Sequence, residues 1–384
     1  MANGLTQLMP TVMARGLQVL RANCWMPRLI NMDFSNMPAE QGDTVNVWLS
    51  SALTPSAVTP GATPVTPQDS GPTKVPVQLT QWRKNGFYMN DKEAGDVTRG
   101  LRVKQADEAI KGLAEELNAF CFSKYVKCYG FVGTPGTTPF ASDTTAATQA
   151  RKILNKQRAT MTDRRILLDP EADALAVELA KLTSAERIGS DENIKNGTIG
   201  TKLGFSWGMD QQIPYHTSTA LTAGAATVNG AQAVNVGSTD GGRTGTLSIA
   251  KATNSSPLVA GDILTIAGDT QTYVVLANVT LAVGNTSVSI APALQKATAG
   301  GEVVSLKASH TVNLAFHRDA FAFASRPLQR ASENTDNTMT IADPVSGVVL
   351  RLEVIRQNKQ DYFEFDILYG CELVRPELCV RIAG

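Results

Sequence analysis

Between Thr217 and Leu306 the only charged residues are Asp240, Arg243, Lys251, Asp262, Asp269, Lys296 and Glu302. Apolar residues in this stretch recur in short two-residue alternations: Val234/Val236, Leu247/Ile249, Leu264/Ile266, Tyr273/Val275, Val288/Ile290 and Val303. Alternation of that kind turns one face of a strand inward and the other outward. Turn sequences separate the runs, among them Thr239-Asp240-Gly241-Gly242, Ala267-Gly268-Asp269 and Gly284-Asn285. The segment therefore predicts several short strands forming a small antiparallel barrel or sandwich. Mixed helix-and-strand sequence flanks it on both sides, so 217–308 reads as an all-β domain inserted into a host.

The host begins with residues 8–22, where Val12, Met13, Leu17 and Leu20 fall on one helical stripe. Such a terminal helix docks on its own domain or on a partner. A strand follows at Gly42–Trp48, with Val45 and Val47 on one side. Residues 53–80 then carry Pro55, Pro60, Pro64, Pro67, Pro72 and Pro76 among Thr, Ser, Gly and Ala. Proline lacks the donor that a central strand or helix needs. Because strand-like segments flank this stretch (Val45–Leu49 and Val75–Leu79), it reads as an extended excursion that leaves the body and returns, rather than as a linker between domains. Asn90-Asp91 then opens a helical pattern, Val97, Leu101, Ala106, Ile110, Leu113, Leu117, Phe120 and Cys121, running to about Cys128. At about 1.5 Å per residue it predicts a spine roughly 55 Å long. Residues 143–160 and 170–187 predict two more helices, with Ile166–Leu168 a buried strand between them. Near the end, Leu350/Leu352/Val354 and Phe363/Phe365/Ile367 alternate across a turn at Gln357–Asp361, which predicts a hairpin.

Lysine plus arginine balance aspartate plus glutamate at 35 each, for a formal net charge of zero. Neutrality permits close self-association and argues against wrapping of nucleic acid, which needs a basic surface. Cys24, Cys121, Cys128, Cys371 and Cys379 fit no zinc spacing and read as reduced, buried thiols, Cys121 and Cys128 as core residues of the spine helix. No signal peptide is expected, and no run of about 18 apolar residues predicts a membrane helix. The sequons at Asn254, Asn278 and Asn285 are expected to stay unmodified.

Catalytic motifs are weak. Gly204-Phe205-Ser206-Trp207-Gly208 matches a nucleophile elbow, but its context reads as loop on both sides. The histidines, His216, His310 and His317, have no acidic residue obviously placed to orient them, and His317-Arg318-Asp319 reads as a surface turn. Asp262 and Asp269 flank a predicted turn, where solvated carboxylates are the default and a calcium site the alternative. No phosphate-binding loop, dinucleotide fingerprint or zinc-protease motif occurs. The expectation is a protein that is not an enzyme and uses no cofactor or metal.

The order of parts, together with Leu8–Ala14, Leu29–Phe34 followed by Gly42–Val45, Asn196–Gly200 leading to Ile213-Pro214, Asn313–Phe321, Tyr369-Gly370 and Val374–Glu377, resembles the coat proteins of short-tailed bacteriophages. The resemblance is to the branch of the Hong Kong 97 capsid fold that carries an insertion domain, and it covers essentially the whole chain. It implies an α+β fold with an N-terminal arm and lead-in strand (1–41), an extended loop over a neighbouring subunit (42–88) and a spine helix of the peripheral domain (89–134). An axial domain follows in two parts (135–216 and 309–340) around the inserted β-barrel (217–308), and closing strands end the chain (341–384). It implies a major capsid protein assembling with itself as hexamers and pentamers of an icosahedral shell, with a scaffolding protein and a portal protein as partners. Double-stranded DNA is then only enclosed cargo, no membrane is involved, and the protein resides in the virion after assembly in the host cytoplasm. The excursion is richer in proline than that family's loop. An encapsulin-like compartment shell of the same fold is the alternative, and a carbohydrate-binding adhesin a third reading that requires secretion. Expected inter-subunit contacts are Pro55, Pro60, Pro64, Pro67, Pro72 and Lys74 in the excursion, and Asp240 and Arg243 as opposite charges on a flexible tip of the inserted domain.

Overall fold

The computed structural model describes residues 5–33, 44–49, 55, 57, 60–61, 72–91, 100–183, 195–219, 221, 226–238, 240–328 and 337–384. Pro64, Pro67, Val97, Phe34, Gly42, Asp43 and Thr239 lie outside the described residues, as do residues 184–187 of the second predicted mid-chain helix.

The N-terminal stripe forms helix α1 (Leu5–Asn23), with Val12, Met13, Leu17 and Leu20 buried. It docks on its own chain: a Cβ at Gly16 would collide with Ile110, so glycine permits close approach of two helices there. Arg15 pairs with Asp107 at 2.7 Å and Arg21 with the buried Asp343 at 2.7 Å. A short helix, α2 (Met26–Leu29), follows. Strands β1 (Thr44–Leu49) and β2 (Thr73–Gln78) pair antiparallel as a two-stranded ribbon, so the proline-rich excursion does leave from and return to one place. β3 (Gln81–Asn90) lies inside the span expected for the extended loop, yet it pairs along its full length with a C-terminal strand of the body.

The spine helix, α3 (Gly100–Ser123), is described over 24 residues and tightens into a 3-10 turn at Lys124–Lys127. It ends before the expected Cys128, which sits beyond it in extended conformation. The cause is remote in sequence: Arg381 donates to the carbonyls of Tyr125 and Val126 at 3.0 and 3.2 Å, taking acceptors that a continuing helix would use. All five cysteines are free and buried. Burial pushes the Cys24 and Cys121 thiols up, which keeps them protonated.

β4 (Gly130–Val132), α4 (Thr145–Lys156) and β5 (Arg164–Leu168) come next; α4 is shorter than the expected 143–160, starting where Asp143 accepts from the Thr145 amide at 2.8 Å. The helix expected from 170 breaks into α5 (Pro170–Glu178) and α6 (Ala180–Thr183) around the extended Leu179. β6 (Thr201–Lys202) and β7 (Phe205–Met209) form a hairpin with Leu203 and Gly204 at positive φ, then β8 (Tyr215–His216) leads to the inserted segment.

There, β9 (Ala226–Val228), β10 (Gly245–Lys251), β12 (Ile263–Ile266), β13 (Thr272–Val275), β15 (Gly284–Ala291) and β16 (Val303–Leu306) close into a six-stranded barrel, with the ribbon β11 (Ser256–Leu258) and β14 (Val279–Leu281) beside it. β10 buries every second residue, and Leu247, Ile249, Ile266, Tyr273, Val288 and Ile290 form a core separate from that of the body. Val234 and Val236, expected in a strand, instead lie in a turn region, where Gln232 bridges Thr298.

The chain re-enters the body through β17 (His310–His317), whose first residues pair with β8, so the barrel leaves and returns at one point. β17 joins a seven-stranded sheet with β22 (Cys379–Ala383), β4, β5, β7, β6 and β8. β18 (Phe321–Ser325), β19 (Thr338–Ala342), β20 (Val349–Gln357) and β21 (Gln360–Leu373) form with β3 a five-stranded sheet against α3. The predicted β20–β21 hairpin is present, and its turn is tighter than expected, with Asn358 and Lys359 at positive φ.

Candidate intersubunit surfaces

The β1–β2 ribbon shows period-two burial: Val45, Val47, Leu49 and Val77 pack with Ala322, Ala324, Leu368 and Val374, while the alternate residues face outward. Among the outward residues, the Lys74 ammonium lies 4.2 Å from the centre of the Trp48 ring, which is 55% exposed. Pro55, Pro60 and Pro72 are exposed; Pro64 and Pro67 lie outside the described residues. A cleft of about 180 Å³ opens beneath the ribbon, walled by Trp48, Leu49, Asn31, Asp319, Val374 and Arg375.

Asp240 and Arg243 do not form a flexible charged tip. Asp240 accepts from the amides of Arg243 and Thr244 at 3.0 and 2.9 Å and from the hydroxyls of Ser238 and Thr244 at 3.1 and 2.8 Å. Burial opposes ionisation, but the Thr244, Ser238 and Arg243 donors hold the carboxyl below the usual carboxylate range. Arg243 turns back to the chain's own body and donates to the Val374 carbonyl. The structure thus brings two of the predicted regions together: the ribbon and the barrel's turn both converge on Val374.

Sequence reasoning missed a third surface. The register Trp82↔Leu368 through Tyr88↔Tyr362 is unbroken, so Trp82, Lys84 and Tyr88 share one face of the five-stranded sheet with Tyr362, Glu364 and Asp366. Trp82 and Tyr88 are 62% and 64% exposed, and the Tyr88 and Tyr362 rings lie 4.7 Å apart. Aromatic residues on both faces of β3 hid this, because Phe87 points the other way and stacks on Phe363 at 5.1 Å.

The barrel meets the body through a buried polar joint. His216 Nε2 lies 3.0 Å from Asp262 Oδ1, and its Nδ1 lies 3.0 Å from the Tyr125 hydroxyl. An acidic residue therefore does stand against a histidine, and Asp262 is fully buried rather than a solvated turn residue; Asp262 and Asp269 flank strand β12, not a turn. Arg381, fully buried, donates to Gly261 O at 2.8 Å as well as to Tyr125 and Val126. His310 lies beside His216, its Nδ1 2.8 Å from the Ala308 carbonyl, and burial pushes its pKa down to about 4.

Ser206 lies mid-strand in β7, paired with Arg165, and not at a strand-to-helix elbow. His317 is buried rather than in a surface turn, its Nδ1 accepting from the Asp319 amide at 3.1 Å. Among the described residues no group of three or more His, Cys, Asp or Glu side chains is placed to hold a metal ion. Among the described residues no helix is long and apolar enough to cross a membrane.

No family model matches the chain. No curated protein matches it by sequence. Solved structures do match. One, from Mycobacterium phage Che8, is 15% identical and aligns over 94% of this chain and 90% of its own, with a TM-score of 0.51. The capsid structure of the cyanophage P-SCSP1u is 9% identical over 89% of this chain and 84% of its own, with a TM-score of 0.50. At these identities the likeness concerns architecture alone: the chain has the fold of phage capsid proteins.

Proposed function

We propose that this protein is the major capsid protein of a tailed bacteriophage, building by self-assembly the icosahedral shell that encloses the genome. The observation that carries the reading is a fold likeness to a phage capsid over 89% of the chain, at an identity too low to arise from recent common sequence. The chemistry is consistent: a neutral chain can pack against copies of itself, and a ribbon footed on the body along one face leaves its outward face available to a neighbour. In finer terms the proposal is the insertion-domain branch of the Hong Kong 97 fold in a short-tailed phage. Residues 42–80 supply the clasp, α3 and the five-stranded sheet the peripheral domain, the seven-stranded sheet the axial domain, and 217–308 the insertion. Hexamers and pentamers, a scaffolding protein, a portal protein and enclosed double-stranded DNA follow from that assignment, with assembly in the host cytoplasm. The shell's role is structural, not enzymatic.

Electron microscopy of the purified chain, alone and co-expressed with its neighbouring genes, tests this. Closed particles are expected, and their contents separate a genome shell from an enzyme compartment. A chain that stays monomeric under every assembly condition, scaffold included, overturns the reading.

A further inference from the structure

Four of the five buried cysteines meet in pairs whose members are far apart in sequence. The Cys121 thiol hydrogen-bonds Cys371, and the Cys128 thiol hydrogen-bonds Cys379. The first pair joins the spine helix to β21; the second joins the residue after its 3-10 turn to the start of β22. The β4–β22 register explains the second meeting. Val380 stands opposite Gly130 in a parallel pair, so Cys379 and Cys128 flank that glycine. A Cβ on Gly130 would lie 2.8 Å from the Cys379 carbonyl oxygen, and Cys128 Sγ is 3.9 Å from the Gly130 carbonyl oxygen. Glycine there lets the two segments approach until the thiols meet.

The two pairs differ in what surrounds them. Residues 379 and 381 share a face of β22, which brings the fully buried Arg381 guanidinium to the second pair. A buried cation calls for an anion as well as acceptors. The carbonyls of Gly261, Tyr125 and Val126 accept from Arg381, but Asp262, the carboxylate of the joint, is taken by His216 at 3.0 Å. Arg381 Nε has no hydrogen-bond partner among the described residues, and the Cys128 thiol lies against the same guanidinium. Burial opposes ionisation of Cys128, yet the Cys379 thiol and the Arg381 charge outweigh it and hold Cys128 below the ordinary thiol range. At Cys121, burial and the Cys371 thiol push the other way, and that thiol stays protonated.

From this arrangement we propose that Cys128 and Cys379 are a redox-active dithiol, Cys128 the nucleophile and Cys379 the resolving thiol, which a peroxide closes into an intrachain disulfide. The Cys128 thiolate attacks one peroxide oxygen and the O–O bond breaks, leaving Cys128 as a sulfenic acid. The hydroxide released takes up the proton that the thiol gave up. The Cys379 sulfur then attacks the sulfenic sulfur, and its own proton leaves with the hydroxyl as a second water. Two thiols and one peroxide thus yield one disulfide and two waters, with two electrons passing to oxygen. The bond fastens the end of the spine helix to β22, beside the seam where Tyr129, Phe131 and Ala383 meet the barrel. A chain made in a reducing compartment carries the pair open and acquires the staple on leaving it.

The test treats the full chain, purified under reducing conditions and then freed of reductant, with hydrogen peroxide, before denaturing it and alkylating the remaining thiols. Intact mass should show three labels in place of the five of the reduced chain. Peptide mapping should join Cys128 to Cys379, with Cys121 and Cys371 both alkylated. The Cys128 pair should close at least about tenfold faster than the Cys121 pair, as follows from the larger thiolate fraction beside a cation. The melting temperature should rise by about 5 °C. Cys379→Ser should leave Cys128 as a sulfenic acid that a dione probe captures, and Cys128→Ser should leave Cys379 reduced. Equal closure of both pairs would overturn the proposal. So would Cys128 oxidised beyond the sulfenic acid with Cys379 still free, or thiols that resist peroxide until the chain unfolds. The unsubstituted chain alone decides between these outcomes, so they stand if either variant fails to fold, and none depends on whether shells form.

Discussion

The barrel and the β1–β2 ribbon both interrupt the body, and they are attached in different ways. The barrel closes on itself, carries its own apolar core, and is fixed to the body both by a buried polar joint built on Arg381, His216 and Asp262 and by an apolar seam in which Ile263, Val274 and Ala291 meet Tyr129, Phe131 and Ala383. The ribbon has two strands, no core of its own, and an apolar footing on β18 and β21. A two-stranded ribbon is marginal alone, whereas a closed barrel has no unpaired edges to satisfy. An interruption of the first kind keeps its shape wherever it is placed; one of the second kind takes its final shape from what it touches. In a shell the first suits a rigid module and the second a clasp.

The largest effect that would break this contrast is at Arg381. Arg381→Ala leaves the carbonyls of Gly261, Tyr125 and Val126 without their buried donor and opens a void. A loss of about 3–5 kcal/mol is expected in denaturant unfolding of the unassembled subunit. Hydrogen exchange should rise first along the barrel–body joint. If exchange rises equally in the ribbon, the two attachments are not independent.

Next in size is a pH effect at the same joint. His310 Nε2 has no hydrogen-bond partner among the described residues, and the ring faces Arg381, His216 and Asp262. Its folded pKa, about 4, lies below the ordinary 6.5. The unfolded chain therefore takes up a proton between pH 6.5 and 4 that the folded chain refuses. Stability contributed by the neutral ring is complete above pH 6.5 and declines as pH falls to 4, by on the order of 3 kcal/mol. His310→Leu should flatten that part of the stability–pH curve, and an unchanged curve would relocate the titration elsewhere.

Much of this contrast is legible in the sequence, and the rest is hidden for definite reasons. The barrel strands are read correctly where alternation is sustained, as in Gly245–Lys251. Val234 and Val236 mislead because two alternating valines also occur in a turn held by the Thr246-to-Val236 backbone bond. The joint is invisible because its partners are far apart: His216 and Asp262 are separated by 46 residues, and Arg381 and Tyr125 by 256. The same distance hides why the spine helix stops before Cys128. The aromatic face of β3 is missed because Phe87 and Tyr88 give both sides of the strand the same character, so periodicity alone cannot choose the buried one.

A smaller effect sharpens the comparison from the ribbon's side. Val77 is fully buried in the ribbon's footing. Val77→Ala should cost about 2 kcal/mol by lost burial and a small void. A two-stranded ribbon without a core of its own is expected to open as a local unit, so the loss should show as faster amide exchange in β1 and β2, with barrel amides unchanged and the global unfolding midpoint hardly moved. A matching shift of the global midpoint would make the ribbon part of the cooperative body.

The smallest effect is expected at the barrel's own turn, where the charges read from sequence as an exposed contact are internally employed. Asp240→Ala removes the acceptor for the Arg243 and Thr244 amides, much as loss of a helix cap does, and should cost about 1 kcal/mol. Its folded carboxyl titrates below the usual range, so the contribution is present above the unfolded pKa of about 3.9 and is lost as pH falls through the lower folded value. Arg243→Ala leaves those amide bonds intact but frees the Val374 carbonyl, the point where ribbon and barrel meet. The two variants should therefore differ in kind: Asp240→Ala lowers the melting temperature of the subunit, while Arg243→Ala leaves it nearly unchanged and speeds exchange around Val374. Should Arg243→Ala instead weaken assembly strongly at low salt and spare the Val374 region, where screening is least, the side chain belongs to a neighbour rather than to its own body.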